Sequence, residues 1–292
     1  MATVVVQSVR ERVADARSRL ARAGVPRNEV DLDARLLAQH ALGWDAARFF
    51  ADGADGEPAG FAARYHTLVE RRARREPLAY ILGRREFWNL SFEVSPAVLI
   101  PRPESELIVE AALARFPDGS PLAVADVCTG SGCVAVALAT ERPRATVIAT
   151  DISEAAVAVA RQNASALGVA DRVRFCRAHL LKGVNGPFDL IVANPPYVPE
   201  VDRETLAPEV RDYEPAVALF AGKDGLACVR ELVAQASSRL VRGGLLIFEF
   251  GFGQVDAIRD VVASADGLTL EGLEHDLQDI PRVAVLRRVG QL

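Results

Sequence analysis

After Pro121, five short apolar runs at 122–127, 146–150, 173–176, 188–193 and 245–250 alternate with helical stretches that begin near Gly132, Ser153 and Gly225. Strands separated by helix-length connections pair in parallel, and helices then cover both faces of their sheet. Ser153 is the residue type that caps a helix N-terminus. Two further β-like runs, 268–274 and 282–286, have no helix between them. They read as a closing hairpin that contributes one antiparallel strand. The fold class is therefore expected to be α/β, with a mostly parallel sheet.

The first part of the chain has a different period. Val9, Val13, Ala16 and Leu20 recur at four-three-four spacing, one face of a helix ended by Gly24 and Pro26. A second helical pattern runs from about Val30 to Leu42 and stops at Gly43. A third passes through Phe61, Tyr65, Leu68 and Arg72 and is interrupted by Glu76-Pro77. Residues 51–60, rich in Gly, Asp and Ala, read as an exposed loop. None of these helices carries a catalytic cluster, so a small recognition bundle is expected. From Arg85 the period becomes two, with Trp88-Asn89 near the bend of a β-hairpin. The organisation expected is 1–84 as a helical recognition domain, 85–102 as a hairpin linker and 103–292 as the main domain. Pro101 and Pro103 hold Arg102 extended, and Pro103 suits the first position of a helix over about 105–115.

Composition narrows the function classes. The chain has 292 residues, half of them apolar and a quarter charged, and a net charge of −5. No global basic field draws it to nucleic acid or membrane. The run Arg71-Arg72-Ala73-Arg74-Arg75 is local and reads as the solvated end of a helix, favourably placed for the dipole. Cys128, Cys133, Cys176 and Cys228 form no C-x-x-C pair, and with four histidines there is no metal-ligand spacing. No metal is expected. The Val4-Val5-Val6 patch is too brief for a signal peptide, and no apolar stretch approaches membrane-spanning length. A soluble, cytoplasmic monomer with reduced thiols is expected.

The chemistry gathers at strand ends. Asn194-Pro195-Pro196-Tyr197 closes the run 188–193. Neither proline offers an N–H, so the strand stops and the chain turns outward at its carboxyl end, where open α/β sheets bind ligands. The turn presents carbonyls, a carboxamide and an aromatic face, a set suited to a planar group with N–H bonds to give. Upstream, Asp126-Val127-Cys128-Thr129-Gly130-Ser131-Gly132 follows the first strand and opens a helix. The next strand ends in Asp151, a carboxylate able to accept from ribose hydroxyls. The same segment fits the dinucleotide pattern G-x-G-x-x-A with an acid about 20 positions on. On this segment alone NAD and S-adenosylmethionine compete. The Pro-Pro turn separates them, because it suits methyl transfer to a planar nitrogen and offers a dehydrogenase nothing.

With these motifs the chain resembles the class I S-adenosylmethionine-dependent methyltransferases, and among them the release-factor glutamine N5-methyltransferases, the PrmC/HemK family. The resemblance spans nearly the whole chain. It includes Glu76-Pro77-Leu78-Ala79-Tyr80-Ile81-Leu82-Gly83 with Glu86-Phe87, and Ile100-Pro101-Arg102-Pro103-Glu104-Ser105-Glu106. It continues through Thr129–Gly132, Asp151, Asn194–Tyr197, Asp212-Tyr213-Glu214-Pro215 and Phe248-Glu249-Phe250-Gly251. It implies a Rossmann-like domain with a seven-stranded sheet and a helical bundle joined by the hairpin. It further implies S-adenosylmethionine contacts from Asp126, Cys128, Thr129, Gly130, Ser131 and Gly132, and from Asp151, Ile152, Leu180 and Asn194. Asn194, Pro195, Pro196 and Tyr197 would be catalytic, and Arg102 and Pro103 would join Asn194 and Tyr197 in holding the substrate. That substrate would be the glutamine of the Gly-Gly-Gln motif in class I peptide chain release factors. Departures fall at Cys128, where the family has glycine and the chain is expected to turn without a positive φ. Others fall at His179, where many members have an acid, and at Ile280-Pro281, which lacks a glycine before Arg282.

Asn-Pro-Pro-Tyr is shared with nucleic-acid methyltransferases, so transfer to an exocyclic amine (adenine N6 or guanine N2) is the alternative activity. A non-catalytic adaptor for release factors or ribosomes is the alternative of another class. Glu104 and Glu106 read as helix N-terminal acids, His40, His66 and His275 as structural, and Phe87 and Trp88 as packing residues. Glu249, ending a buried strand, fits a functional or a structural carboxylate equally.

Overall fold

The computed structural model describes residues 7–117 and 119–290; the Val4-Val5-Val6 patch lies outside them. The chain divides into two compact units. One extends to Gly83 and includes the later segment Ala207–Tyr213, and the other holds Arg84–Leu206 and the chain from Glu214 onward.

The first unit is helical: α1 (Val9–Arg22), α2 (Arg27–Leu42), α3 (Ala46–Asp52), α4 (Phe61–Ala73) and α5 (Leu78–Leu82). Ser8 starts α1 with a capping box, its Oγ accepting from the Glu11 N–H while the Glu11 carboxylate accepts from the Ser8 N–H at 2.7 Å. The stripe Val9, Val13, Ala16 and Leu20 is buried, as its spacing requires. Tyr65 on α4 stacks on Phe61 and donates its hydroxyl to the Ala34 carbonyl of α2 at 2.8 Å. Two elements depart from expectation. α3 takes the first two residues of the expected loop, and α5 follows Pro77. Helices of five to seven residues are too short to show a readable period.

The arginine run also differs from its sequence reading. Arg72 is 1% exposed. Its guanidinium donates to Asp33 at 2.6 Å, Glu209 at 2.8 Å and Glu29 at 3.0 Å. Arg75 clamps Glu209 through two bonds of 2.6 Å, and Arg71 is paired with Glu76. The carboxylates that hold Arg72 and Arg75 come from α2 and from the segment Ala207–Tyr213, and Glu76 pairs with Arg71. The α4 terminus is thus largely neutralised, mostly by residues distant in sequence, and is not a solvated cation cluster.

The second unit opens with β1 (Arg84–Phe87) and β2 (Leu90–Glu93), then a 3-10 turn at Pro103–Ser105 and α6 (Glu106–Arg115). There follow β3 (Leu122–Val127), α7 (Cys133–Glu141), β4 (Ala145–Asp151), α8 (Glu154–Ala166), β5 (Val173–Arg177) and β6 (Phe188–Ala193). After the 3-10 stretch Glu200–Thr205 comes α9 (Pro208–Tyr213), inside the segment that belongs to the helical unit. The chain ends with α10 (Ala216–Leu219), α11 (Ala227–Ser237), β7 (Leu240–Glu249), α12 (Val255–Ala263), β8 (Leu268–His275) and β9 (Pro281–Arg288). Seven strands form one sheet in the order β5-β4-β3-β6-β7-β9-β8, in which β9 alone runs antiparallel to its neighbours.

Alternate residues of these strands enter two cores, one on each face. Val124, Val147, Leu190 and Ile247 meet α6, α7 and α8 in one, and Ala125, Ile191, Leu246 and Phe248 meet α11 and α12 in the other. The β1–β2 hairpin packs Phe87 and Phe92 into the first core. Its bend places Trp88 and Asn89 at φ 52° and 55°, both left-handed as a type I′ turn requires. Glu106 does more than face a helix dipole, because its carboxylate accepts the Trp88 N–H at 2.7 Å and pins that bend.

β3 lies between β4 and β6. The chain fills one side of the sheet from β3 to β5, then returns to the other side of β3. The carboxyl ends of β3 and β6 therefore border a topological switch point, the crevice where such sheets hold ligands. Among the described residues no helix is long and apolar enough to cross a membrane.

Candidate active site

A cleft of about 370 Å³ opens at this switch point. Its floor is the turn after β3. Asp126, buried at the strand end, accepts the Thr129 hydroxyl at 2.6 Å, and burial pushes its carboxyl pKa up to about 7. Thr129 N–H bonds the Thr150 carbonyl at 2.9 Å and Gly132 N–H the Thr129 carbonyl at 2.8 Å, so the turn is tied to β4 and to itself. Cys128 corrects the sequence reading: the turn does use a positive φ, of 61°, and the cysteine itself adopts it. A non-glycine residue there costs about 1–2 kcal/mol, which is offset by packing of the side chain against the second core. The Cys128 thiol meets Cys228 of α11, a hydrogen bond that with burial raises its pKa well above the usual thiol range. Leu180, at φ 51°, is a second left-handed non-glycine residue in the cleft wall. Strain of this kind concentrates at ligand sites.

Asp151 ends β4 with both oxygens accepting from backbone, Oδ2 from the Gly130 N–H at 3.0 Å and Oδ1 from the Ser153 N–H at 2.9 Å. Burial raises its pKa as well. Ile152 beside it is 45% exposed, an apolar side chain turned to the cleft. Asn163 on α8 links loop and hairpin, donating to the Ser131 carbonyl at 2.8 Å and to the Glu93 carbonyl at 3.0 Å.

On the β6 side a chain of polar groups runs inward from the cleft. Asn194 Nδ2 donates to Ser105 Oγ at 2.8 Å, Ser105 Oγ donates to Glu249 Oε2 at 2.6 Å, and Tyr197 donates its hydroxyl to Glu249 Oε1 at 3.0 Å. Glu249 is the last residue of β7 and is fully enclosed; burial raises its carboxyl pKa, against the two hydroxyl bonds. Gln254 holds the other end of the turn by donating to the Tyr197 carbonyl at 3.0 Å. Arg102 is paired with Glu214, whose other oxygen accepts the Ile100 N–H at 3.0 Å. The proline-bracketed segment is thereby anchored to the chain just after the helical segment 207–213.

Of the residues expected at a site, Arg102, Asp126, Cys128, Thr129, Gly130 and Ser131 line this one cleft. So do Asp151, Ile152, Leu180, Asn194 and Pro196. Four do not. Pro103 is exposed at the start of its 3-10 turn, Gly132 is the N-cap of α7, Pro195 is buried within its turn, and Tyr197 turns its hydroxyl to Glu249. Sequence reasoning assigned no role to Ser105, nor to Phe220, Cys228 and Glu231, which also line the cleft. The only signal for Phe220 was the nearby Asp212–Pro215 stretch, and α11 gave none. Glu231 of α11 lies 3.2 Å from His179, so a carboxylate stands beside the position where the resemblance leads one to expect an acid, supplied by a different element.

Comparison with known proteins identifies the family. A family model described as the PrmC N-terminal domain matches residues 11–83, and one described as the methyltransferase small domain matches residues 105–209. The chain is 41% identical over 264 residues to the release factor glutamine methyltransferase of Bradyrhizobium diazoefficiens, with 89% of each chain covered. The chain belongs to the release factor glutamine methyltransferase family. Another member of the release factor glutamine methyltransferases, from Xylella fastidiosa, is 44% identical over 260 residues, covering 89% of this chain and 94% of that one. The crystal structure of a methyltransferase from Pyrococcus furiosus aligns with 76% of this chain and 99% of its own at a TM-score of 0.53. At 20% identity that likeness concerns the fold alone.

Proposed function

We propose that this protein transfers a methyl group from S-adenosylmethionine to the side-chain amide nitrogen (N5) of the glutamine in the Gly-Gly-Gln motif of class I peptide chain release factors. Family membership supports the reading. Within the chain one observation carries it: the Asn194 carboxamide stands at the end of β6 with its Nδ2 already engaged, beside the cleft formed by the Asp126–Ser131 turn and Asp151.

The cleft suits the cofactor. Ile152 offers an apolar face for a base, and Asp151 keeps unused lone pairs on both oxygens for ribose hydroxyls. At Gly130 an added Cβ would meet nothing within 4 Å, leaving room for a ligand against the backbone. Asp126, once ionised, places negative charge near a cationic ligand. When bound, S-adenosylmethionine supplies an electrophilic methyl group.

The chain's own residues supply alignment. An amide nitrogen is a weak nucleophile because its lone pair is delocalised into the carbonyl, so holding it in line accounts for much of the rate. Asn194 Oδ1 accepts one amide N–H and the Pro195 carbonyl the other, and both bonds stabilise the positive charge the nitrogen gains on attack. Pro195 and Pro196 bring no N–H that would compete for those acceptors. The methylated nitrogen is acidic enough to lose its proton to water, so no strong base is required. Arg102, in the cleft wall, would border the acceptor side, and the helical unit would hold the body of the release factor. The substrate so read is a translation factor of the cytoplasm, and among the described residues no helix is long and apolar enough to cross a membrane.

The test is transfer of label from S-adenosylmethionine to a purified class I release factor and to its Gln→Ala variant at the Gly-Gly-Gln motif. Label on the unaltered factor alone is expected. Label on neither, with cofactor still bound, would move the reading to a nucleic-acid exocyclic amine or a binding role. In the same assay Asn194→Ala should lower kcat by at least about 100-fold while the cofactor Kd stays within twofold.

A further inference from the structure

We infer that Ser105 and Glu249 are positioning residues that decide which end of the Asn194 carboxamide faces the methyl acceptor. The inference rests on the amide-methylating reading above. A carboxamide presents an acceptor at one end and two donors at the other, and a half-turn about its last torsion exchanges them with no change of shape. Only the acceptor end serves a substrate that arrives with N–H bonds; the donor end would set N–H against N–H. Something in the chain must choose, and the polar groups behind Asn194 do so.

The order of bonds follows from counting protons. In its ionised form, which the two hydroxyl bonds favour against burial, Glu249 is acceptor-only and receives Ser105 at Oε2 and Tyr197 at Oε1. The Ser105 contact of 2.6 Å lies in the range of a hydroxyl on an ionised carboxylate. Ser105 has one hydroxyl proton, and it is committed to Glu249. Towards Asn194 its oxygen can therefore only accept, which draws Nδ2 to it at 2.8 Å and leaves Oδ1 for the substrate. The three residues come from the turn before α6, from the end of β6 and from the end of β7, and Ser105 and Glu249 are buried. Neither is a reacting group, and both act through Asn194.

Two measurements test this. The first needs no substrate: the Asn194 side-chain amide protons, assigned in nitrogen-15 spectra by their loss in Asn194→Ala, are followed in hydrogen exchange. Slow exchange in the unaltered protein and at least tenfold faster exchange in Ser105→Ala is the expected result; equal rates would overturn the inference whatever the enzyme methylates. The second is a double-mutant cycle on methyl transfer to the release factor. Ser105→Ala should lower kcat by about 10- to 100-fold through misplacement of the acceptor, with the KM for release factor and the cofactor Kd within twofold. In the Asn194→Ala background the same change should cost less than twofold more, because its route of action is gone. Independent, multiplying effects would show that Ser105 does not act through Asn194. If the unaltered protein labels no release factor, the functional reading fails, and the exchange experiment still decides the orientation.

Discussion

Cys128 holds a glycine's conformation with a side chain attached, and its replacements should separate backbone strain from packing. Cys128→Gly relieves the strain but loses buried contacts and adds unfolded-state freedom, so stability should change by less than about 1 kcal/mol. Cys128→Val adds a β-branched side chain at φ 61° and should cost about 2 kcal/mol or more. Urea unfolding of the two variants reads both values. Asp126 yields a pH prediction. Its carboxyl, pushed up to about 7 by burial, is neutral below that pH and ionised above it. A cationic cofactor binds the ionised form better, so the Kd for S-adenosylmethionine should fall as pH rises from 6 to 8 and level off beyond. Calorimetric titration across that range should show the slope in the unaltered protein, and Asp126→Asn should flatten it and weaken binding at the alkaline end.

At the scale of elements, the turn after β6 keeps its shape because other elements press on it. Gly225, ahead of α11, has φ 73°, and a Cβ there would lie 2.1 Å from the Tyr197 carbonyl oxygen and 2.8 Å from Gln254 Nε2. Gly225→Ala must move the Asn-Pro-Pro-Tyr turn, and kcat should fall by about 10-fold or more, since small misplacements of reacting groups are costly. Gly243 in β7 is the control: its φ is 81°, but an added Cβ would meet nothing within 4 Å. Gly243→Ala should cost about 1 kcal/mol of stability and leave kcat unchanged. Comparing kcat and unfolding midpoints of the two variants tests the claim that the close approach of the chain at Gly225 holds the acceptor turn in place. α11 was legible in the sequence only as a helix. That it presents Cys228 and Glu231 to the cleft depends on how it docks on the sheet.

At the scale of the molecule, the chain completes its helical unit late. Glu209 lies beyond β6, yet it neutralises Arg72 of α4 and Arg75 just past the end of that helix. Arg72→Met would leave Asp33 buried without its partner, and a stranded buried charge costs about 3–5 kcal/mol. Replacing Arg72 and Asp33 together by apolar residues of similar volume should be much milder. Thermal unfolding of the single and double variants checks this, and equal losses would mean that Asp33 is not the group that suffers.

The sequence by itself determined the order of the strands, the helices over α1, α2, α4, α6, α7, α8 and α11, and the residue types at the strand ends. It did not determine the short helices α3, α5, α9 and α10, nor α12. The signals that could be read are local: an apolar run, a proline that removes an N–H, a glycine-rich turn, an acid at the end of a strand. From them the sheet, the hairpin with its Trp88-Asn89 bend and the candidate residues Asp126, Asp151 and Asn194 could be read. Only the tertiary structure decided which strand ends meet. Placing β6 against β3, and not beyond β5, brings Asn194 to the Cys128 turn, and hydrophobic periodicity is the same for either order. Ser105 and Glu249, 144 residues apart, form one hydrogen-bonded unit for the same reason. A hydroxyl and a carboxylate have no periodicity of their own, and their partnership exists only once strand pairing and the docking of α6 have closed that distance.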